Sequence, residues 1–159
     1  NPHLSKADIE ARLKRDLGVE RVLWLGQGLT NDHTDGHVDN LARFIGPNWL
    51  AIPESVAGDP NCEIYADARA RAEAFGVSVA TIPTVGEMQM NGEVAPASYM
   101  NFYIANDLII VPTYGAPNDA RAVQVLDSVF PDRGAVGVRA NALLSGGGSF
   151  HCCSQQMPL

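Results

Sequence analysis

The chain is short of several features that would place it in a class at once. Cysteine is scarce: there are three in 159 residues, an odd number with two adjacent at 152 and 153. That count argues against a disulfide framework and suits a reducing compartment, so a cytoplasmic protein is expected. Positive charge is also scarce. Eleven Lys and Arg stand against 18 Asp and Glu, for a formal net charge of −7. No basic cluster exceeds the stretch from Arg12 to Arg15, so neither nucleic acid nor an anionic membrane is an expected partner. No apolar run approaches the roughly 20 residues a membrane span needs. The first ten residues lack the charged and apolar regions of a signal peptide.

The chain does have the makings of one globular domain. Hydrophobic residues make up 46% and charged ones 18%, and the length suffices to bury a core. An acidic surface favours a cationic small ligand, if only weakly.

The periodicity predicts an alternation of helices and strands. A helix follows Ser5, its candidate N-cap, with Asp8 three residues on, Ile9, Leu13 and Leu17 on one face, and Gly18 as its stop. Residues 21–25 read as a short buried strand, and 26–37 as a polar, glycine-punctuated loop of the functional kind. Residues 38–53 read as two strands around a tight turn. Next come a helix over 59–75 with Gly76 as its stop, a strand over 77–83, a loop from 84 to 98 and a second hairpin over 99–112. A third helix over 118–130, stopped by Pro131, and a strand at 134–140 complete the order.

This order contains a repeat. Residues 44–53, FIGPNWLAIP, recur as YIANDLIIVP at 103–112, an offset of 59, and each copy is followed by a helix and a strand. Repeats of this length stack supersecondary units, none of which buries its own apolar face alone. The units run roughly over 21–83 and 84–140, with a partial unit at 141–159, and the helix in 1–18 reads as the end of a preceding one. The chain is expected to be part of something larger.

Two stretches could carry chemistry. The first, NDHTDGHVDN, holds Asp32, His33, Asp35, His37 and Asp39. It can be read as a metal site, although no standard metal motif matches, or as an Asx-rich surface turn with solvated charges. The second, GGGSFHCCSQQ, places His151, Cys152 and Cys153 behind a glycine run. Buried cysteines are usually small hydrophobes. A glycine run instead allows unusual backbone and close approach of a ligand, so a Cys/His nucleophile is an equal reading. Cys62 is expected in the core, and PASYMNFY, with Ser98 and Asn101, as an aromatic-rich core strand.

Taken together, WLGQGLTNDHTDGHVDNLARFI, PASYMNFYIANDLIIVPTYG and GGGSFHCCSQQMP resemble the agmatine deiminase family, which includes the bacterial-type peptidylarginine deiminases. The pairing of T-D-G-H-V-D-N with G-G-G-x-x-H-C-x-[ST]-Q-Q about 110 residues later is the specific part of the likeness. The resemblance implies an α/β fold of the pentein type, a five-bladed propeller of ββαβ repeats with its active site on the axis. About two and a half of those five repeats are represented here. It also implies hydrolysis of the guanidinium of agmatine to N-carbamoylputrescine and ammonia, a step of polyamine biosynthesis, with no metal or organic cofactor.

Carried over residue by residue, Cys152 is the implied nucleophile, His37 the general acid/base and Asp39 the guanidinium ligand. Asp32 and Gly148 are further expected substrate-binding positions. Cys153 and Ser154 stand where the family commonly has an aliphatic residue and threonine, and Cys153 is expected to be a packing residue. The family's second guanidinium-binding aspartate, in a Trp-x-Arg-Asp context, has no counterpart in the sequence. Self-association or an N-terminal half completing the propeller is therefore the expected partner. Two alternatives remain: a deiminase of arginine or peptidyl-arginine, and a catalytically incomplete half-propeller serving as an interaction module.

Overall fold

Local signals set the ends of the first helix. In the computed structural model, which describes residues 3–33 and 36–157, α1 spans Lys6–Leu17. The Ser5 hydroxyl accepts from the Asp8 amide at 3.2 Å, and the Asp8 carboxylate accepts from the Ser5 amide at 3.0 Å. This is a capping box with aspartate in the place of the usual glutamate, and it occupies two of the helix's orphan donors. The helix stops at Gly18. Its apolar stripe is only partly covered: Ile9 and Leu13 are half-buried, and Leu17 is 69% exposed.

The strand expected at 21–25 does not form. Val22 to Leu25 are half-buried, and Trp24 donates to Glu10 at 2.8 Å, but none of the described strands pairs with them. An apolar run specifies burial; a ladder also needs hydrogen bonds to a neighbouring strand, and this run joins none of the described sheets.

The hairpin expected over 38–53 is shorter than its apolar pattern suggests. Val38–Leu41 forms a helical turn, α2, closed by the Ala42 amide on the Val38 carbonyl at 2.7 Å. It buries Asn40 and Leu41. Strands β1 (Arg43–Gly46) and β2 (Trp49–Pro53) follow as an antiparallel pair, and α3 (Cys62–Phe75) leads to β3 (Ser78–Ile82), which pairs parallel with β2. Ala68 and Ala72 are fully buried on α3, and their small side chains let the helix lie close to the sheet.

Residues 84–98 are more ordered than the loop expected there. They contain a two-stranded hairpin of β4 (Gln89–Met90) and β5 (Glu93–Val94). Its turn residues Asn91 and Gly92 have φ of 54° and 85°. Positive φ at both central positions defines a type I′ turn, which Asn-Gly favours.

A 3-10 turn at Tyr99–Asn101 precedes the second unit, with the Ser98 hydroxyl accepting from the Met100 amide. Strands β6 (Tyr103–Ile104) and β7 (Leu108–Thr113) pair antiparallel. Helix α4 (Asp119–Val129) crosses to β8 (Gly134–Arg139), which pairs parallel with β7. Helix α5 (Asn141–Leu144) leads to the closing turn.

The fold is thus α/β with mixed sheets, and the 59-residue offset corresponds to two ββαβ units of the same topology. The core falls into two clusters, and the second also takes in Ala51 and Ile82 from the first unit's sheet. Ile52, Tyr65, Ala68 and Ala72 anchor the first, and Tyr99, Phe102, Ile109, Val111 and Leu126 the second. None of the described helices is long and apolar enough to cross a membrane.

Candidate active site

Both units send a short helical turn to the same place. Helix α2 lies ahead of β1 and the 3-10 turn ahead of β6, and the two turns pack against each other. Their buried amides meet, Asn101 Nδ2 donating to Asn40 Oδ1 at 2.9 Å. Behind them the Ser98 hydroxyl donates to the Asn40 carbonyl at 2.6 Å, and Tyr114 donates to the Ser98 carbonyl at 3.1 Å. Polar groups this deep persist only where each finds a partner.

The closing turn docks on this amide pair. Asn101 Oδ1 accepts from the amides of Ser149 at 3.0 Å and Cys152 at 3.2 Å, and the Asn101 carbonyl accepts from the His151 amide at 3.2 Å. A backbone N–H can only donate, so the carboxamide oxygen must face the turn. Its nitrogen then points at Cys152 Sγ, 3.1 Å away. Gly148 lies directly against the thiol: a Cβ there would stand 2.6 Å from Sγ. Any larger residue would force the sulfur aside.

Asp39, in the first turn of α2, reaches the same sulfur. Cys152 Sγ is 3.2 Å from Asp39 Oδ2, and His151 Nδ1 is 2.5 Å from that same oxygen. Burial pushes the Asp39 carboxyl up. Hydrogen bonds from His151 and Cys152, with the charges of His151 and His37, more than offset this, and the net direction is down. For the Cys152 thiol, burial again pushes up. The Asn101 N–H and the Ser149 amide pull down, Asp39 pushes up, and the net direction is up.

The structure brings together Cys152, Asp39 and Gly148 among the expected residues. It places His37 and Asp32 as a second pair. The His37 amide donates to Asp32 Oδ2 at 2.9 Å, and its Nδ1 lies 3.0 Å from Oδ1, out of line for a hydrogen bond. The Asp32 side chain is 1% exposed. Its carboxylate holds the His37 amide. Asp35 lies outside the described residues. Cys153, expected to pack, is exposed, because the turn directs its neighbours His151 and Cys152 toward Asp39. Cys62 is only partly buried, with its sulfur 3.1 Å from the Ser55 hydroxyl. Asn40, Asn101 and His151 were not singled out as site residues from the sequence. For Asn101 the signal is a polar residue amid aromatics in SYMNFY, whereas Asn40 and His151 lie inside the two quoted motifs, TDGHVDN and GGGSFHCC.

A groove of about 530 Å³ runs beside Asp39 and His151, walled by Leu13, Leu25, Phe44 and Phe75. A larger one, about 710 Å³, lies at the start of α3 by Cys62 and Arg71 and holds none of the residues around Cys152. Among the described residues no group of three His, Cys, Asp or Glu side chains converges as a metal site.

The architecture has known relatives. A family model for the Porphyromonas-type peptidyl-arginine deiminases matches residues 1–158. A Lactococcus lactis protein, provisionally named as an agmatine deiminase, is 40% identical over 99% of this chain and 50% of its own length. The solved structure of the Enterococcus faecalis agmatine deiminase superposes with a TM-score of 0.89 at 36% identity, covering 99% of this chain and 50% of that one. A C. jejuni agmatine deiminase with a cysteine-to-serine substitution and bound substrate gives 0.87 at 30% identity, over 95% of this chain and 46% of that one. The chain spans about half the length of the curated relatives it matches.

Proposed function

The chain belongs to the Porphyromonas-type peptidyl-arginine deiminase family, and from that membership we propose that it carries the nucleophile-bearing half of a site hydrolysing the guanidinium of agmatine. The observation that carries the reading is the contact between the Cys152 thiol and the Asp39 carboxylate at 3.2 Å, with Asp39 lining an open groove.

A guanidinium is resonance-stabilised and a poor electrophile, so it needs a thiolate. Asp39 pairs with the planar cation and holds its central carbon near Sγ. The bound cation offsets the negative charge that pushes the thiol up, while the Asn101 N–H stays to receive the developing thiolate. The C–S bond forms and a C–N bond breaks. The proton lost by the thiol passes through His37 to the departing ammonia. Water then adds to the amidino thioether and gives a proton to His37. The C–S bond breaks, the thiol recovers its proton, and the ureido product leaves. Asp32 holds the His37 backbone amide in this scheme and sets its carboxylate 3.0 Å from the ring's Nδ1. The remaining acidic groups of a full pocket come from polypeptide beyond the present sequence or from a second copy, in a propeller of five such repeats.

Free or peptidyl arginine is the second reading, suggested by the family's name. Ammonia release from agmatine, arginine and an arginine peptide decides between them, and agmatine is expected to be fastest. Cys152→Ser is expected to reduce the rate to background. No ammonia from any of the three, together with no protection of Cys152 from iodoacetamide by agmatine, would leave the interaction-module reading in its place.

A further inference from the structure

His151 has no role in the scheme above, yet its ring makes the shortest contact in the site, 2.5 Å from Nδ1 to Asp39 Oδ2. Its backbone is fixed independently. The amide donates to the Asn101 carbonyl, and the carbonyl accepts from both the amide and the hydroxyl of Ser154. The ring is therefore carried on a braced turn, whose backbone position does not depend on Asp39. An ionised carboxylate only accepts, so Nδ1 bears the proton and donates.

Cys152 reaches the same oxygen, so two successive residues of the closing turn both engage Oδ2. Among the described residues no hydrogen bond reaches Oδ1. The carboxylate is pinned by one oxygen beside a groove that Asp39, Arg43 and His151 all line, and the Arg43 guanidinium is near enough to interact with its charge.

We propose that His151 is a positioning residue: by holding Oδ2 through Nδ1–H it sets the Asp39 rotamer, so that Oδ1 faces the substrate cation. The identity of that cation rests on the deiminase reading; the pinning of Asp39 does not. Without the imidazole donor Asp39 keeps only the thiol on Oδ2, and that contact is lost when the thiol ionises. The histidine thus supplies a hold that persists through the step in which the sulfur changes charge.

Two reagents of matched size report this directly. Cationic 2-chloroacetamidine needs the carboxylate to dock, and neutral 2-chloroacetamide needs only an accessible thiol. Their alkylation rates at Cys152 are compared by peptide mapping in a Cys153→Ala background. The wild-type ring is expected to give a clear preference for the cationic reagent. His151→Leu is expected to cut that preference about tenfold, the size of one charge-assisted contact. His151→Asn keeps a donor near the place of Nδ1 and is expected to restore most of the preference. The neutral reagent's rate shows whether each variant is folded at the turn. A preference unchanged in His151→Leu overturns the proposal. Absence of any preference in the unsubstituted protein instead counts against the deiminase reading.

Discussion

The two ββαβ units place the same kind of turn before their hairpins and fill it with opposite chemistry. The first unit's α2 brings Asp39, an anion; the second unit's 3-10 turn brings Asn101, a neutral amide. Both side chains reach Cys152 Sγ, at 3.2 Å and 3.1 Å. They act on it in opposite directions: Asn101 donates to the sulfur and draws the thiol pKa down, whereas Asp39 accepts from it and drives the pKa up. Repetition brings a turn from each unit to one point, and the side chain each turn presents there decides the sign of its effect; the two residues are not counterparts, since the 59-residue offset pairs Asp39 with Ser98 and Asn101 with Ala42. Burial is the largest influence on this thiol and pushes it up, and the two side chains adjust that shift with opposite signs.

Removing the amide breaks the comparison most severely. Asn101 is fully buried and its oxygen is the acceptor for the amides of Ser149 and Cys152. Asn101→Leu keeps the shape but leaves those donors, and Asn40 Oδ1, without a partner. A loss of about 2–4 kcal/mol in unfolding free energy is expected from urea denaturation. The alkylation midpoint of Cys152 is expected to rise, since the larger of the two downward influences is removed while burial and Asp39 still push up. Stability within about 0.5 kcal/mol of the parent would show that the closing turn does not depend on this carboxamide.

Removing the anion has a smaller effect and the opposite sign. Asp39→Asn deletes the group that pushes the thiol up, so iodoacetamide is expected to alkylate Cys152 several-fold faster at neutral pH. Agmatine turnover is expected to be lost in the same variant. Faster thiol and slower enzyme would separate suppression of the nucleophile from docking of the substrate; a slower thiol would contradict the assigned sign. Asp39 also links stability to pH. Its pKa in the folded state is lowered, so it contributes stability above the ordinary aspartate value near 4, and this is lost as pH falls through the lowered value. The stability difference between parent and Asp39→Asn is expected to shrink in acid.

How much of this could be read in the sequence depends on whether the signal is local. The Ser5 and Asp8 box, the stop at Gly18 and the 59-residue offset are local or periodic, and they correspond to observed structure. Asn91-Gly92 was equally local, but its flanking strands are only two residues each, too short for alternation to show. Residues 21–25 carried a strand pattern without a strand, because burial and pairing are separate requirements. The site divides in the same way. Cys152, His37 and Asp39 sit in dense motifs, whereas a buried amide such as Asn101 has no periodic signature. Its function shows only once folding brings the amides of Ser149 and Cys152 to its oxygen, about 50 residues along the chain.

The mildest test concerns what keeps the two turns in register. Arg43, the first residue of β1, crosses to the second unit. Its Nη1 donates to the Phe102 carbonyl at 2.8 Å, and the guanidinium lies 4.7 Å from the centre of the Phe102 ring. Phe102 follows Asn101 directly, so this contact ties the anionic side of the site to the amide side. Arg43→Lys keeps the charge but gives up the planar stacking and the fixed fork of donors. A loss of about 1 kcal/mol in unfolding free energy is expected. The Cys152 alkylation midpoint is expected to stay where it is, because Asn101 is held by its own hydrogen bonds to the closing turn. If the midpoint moves with so small a loss of stability, the balance between Asp39 and Asn101 is set by the spacing of the units and not by the two side chains alone.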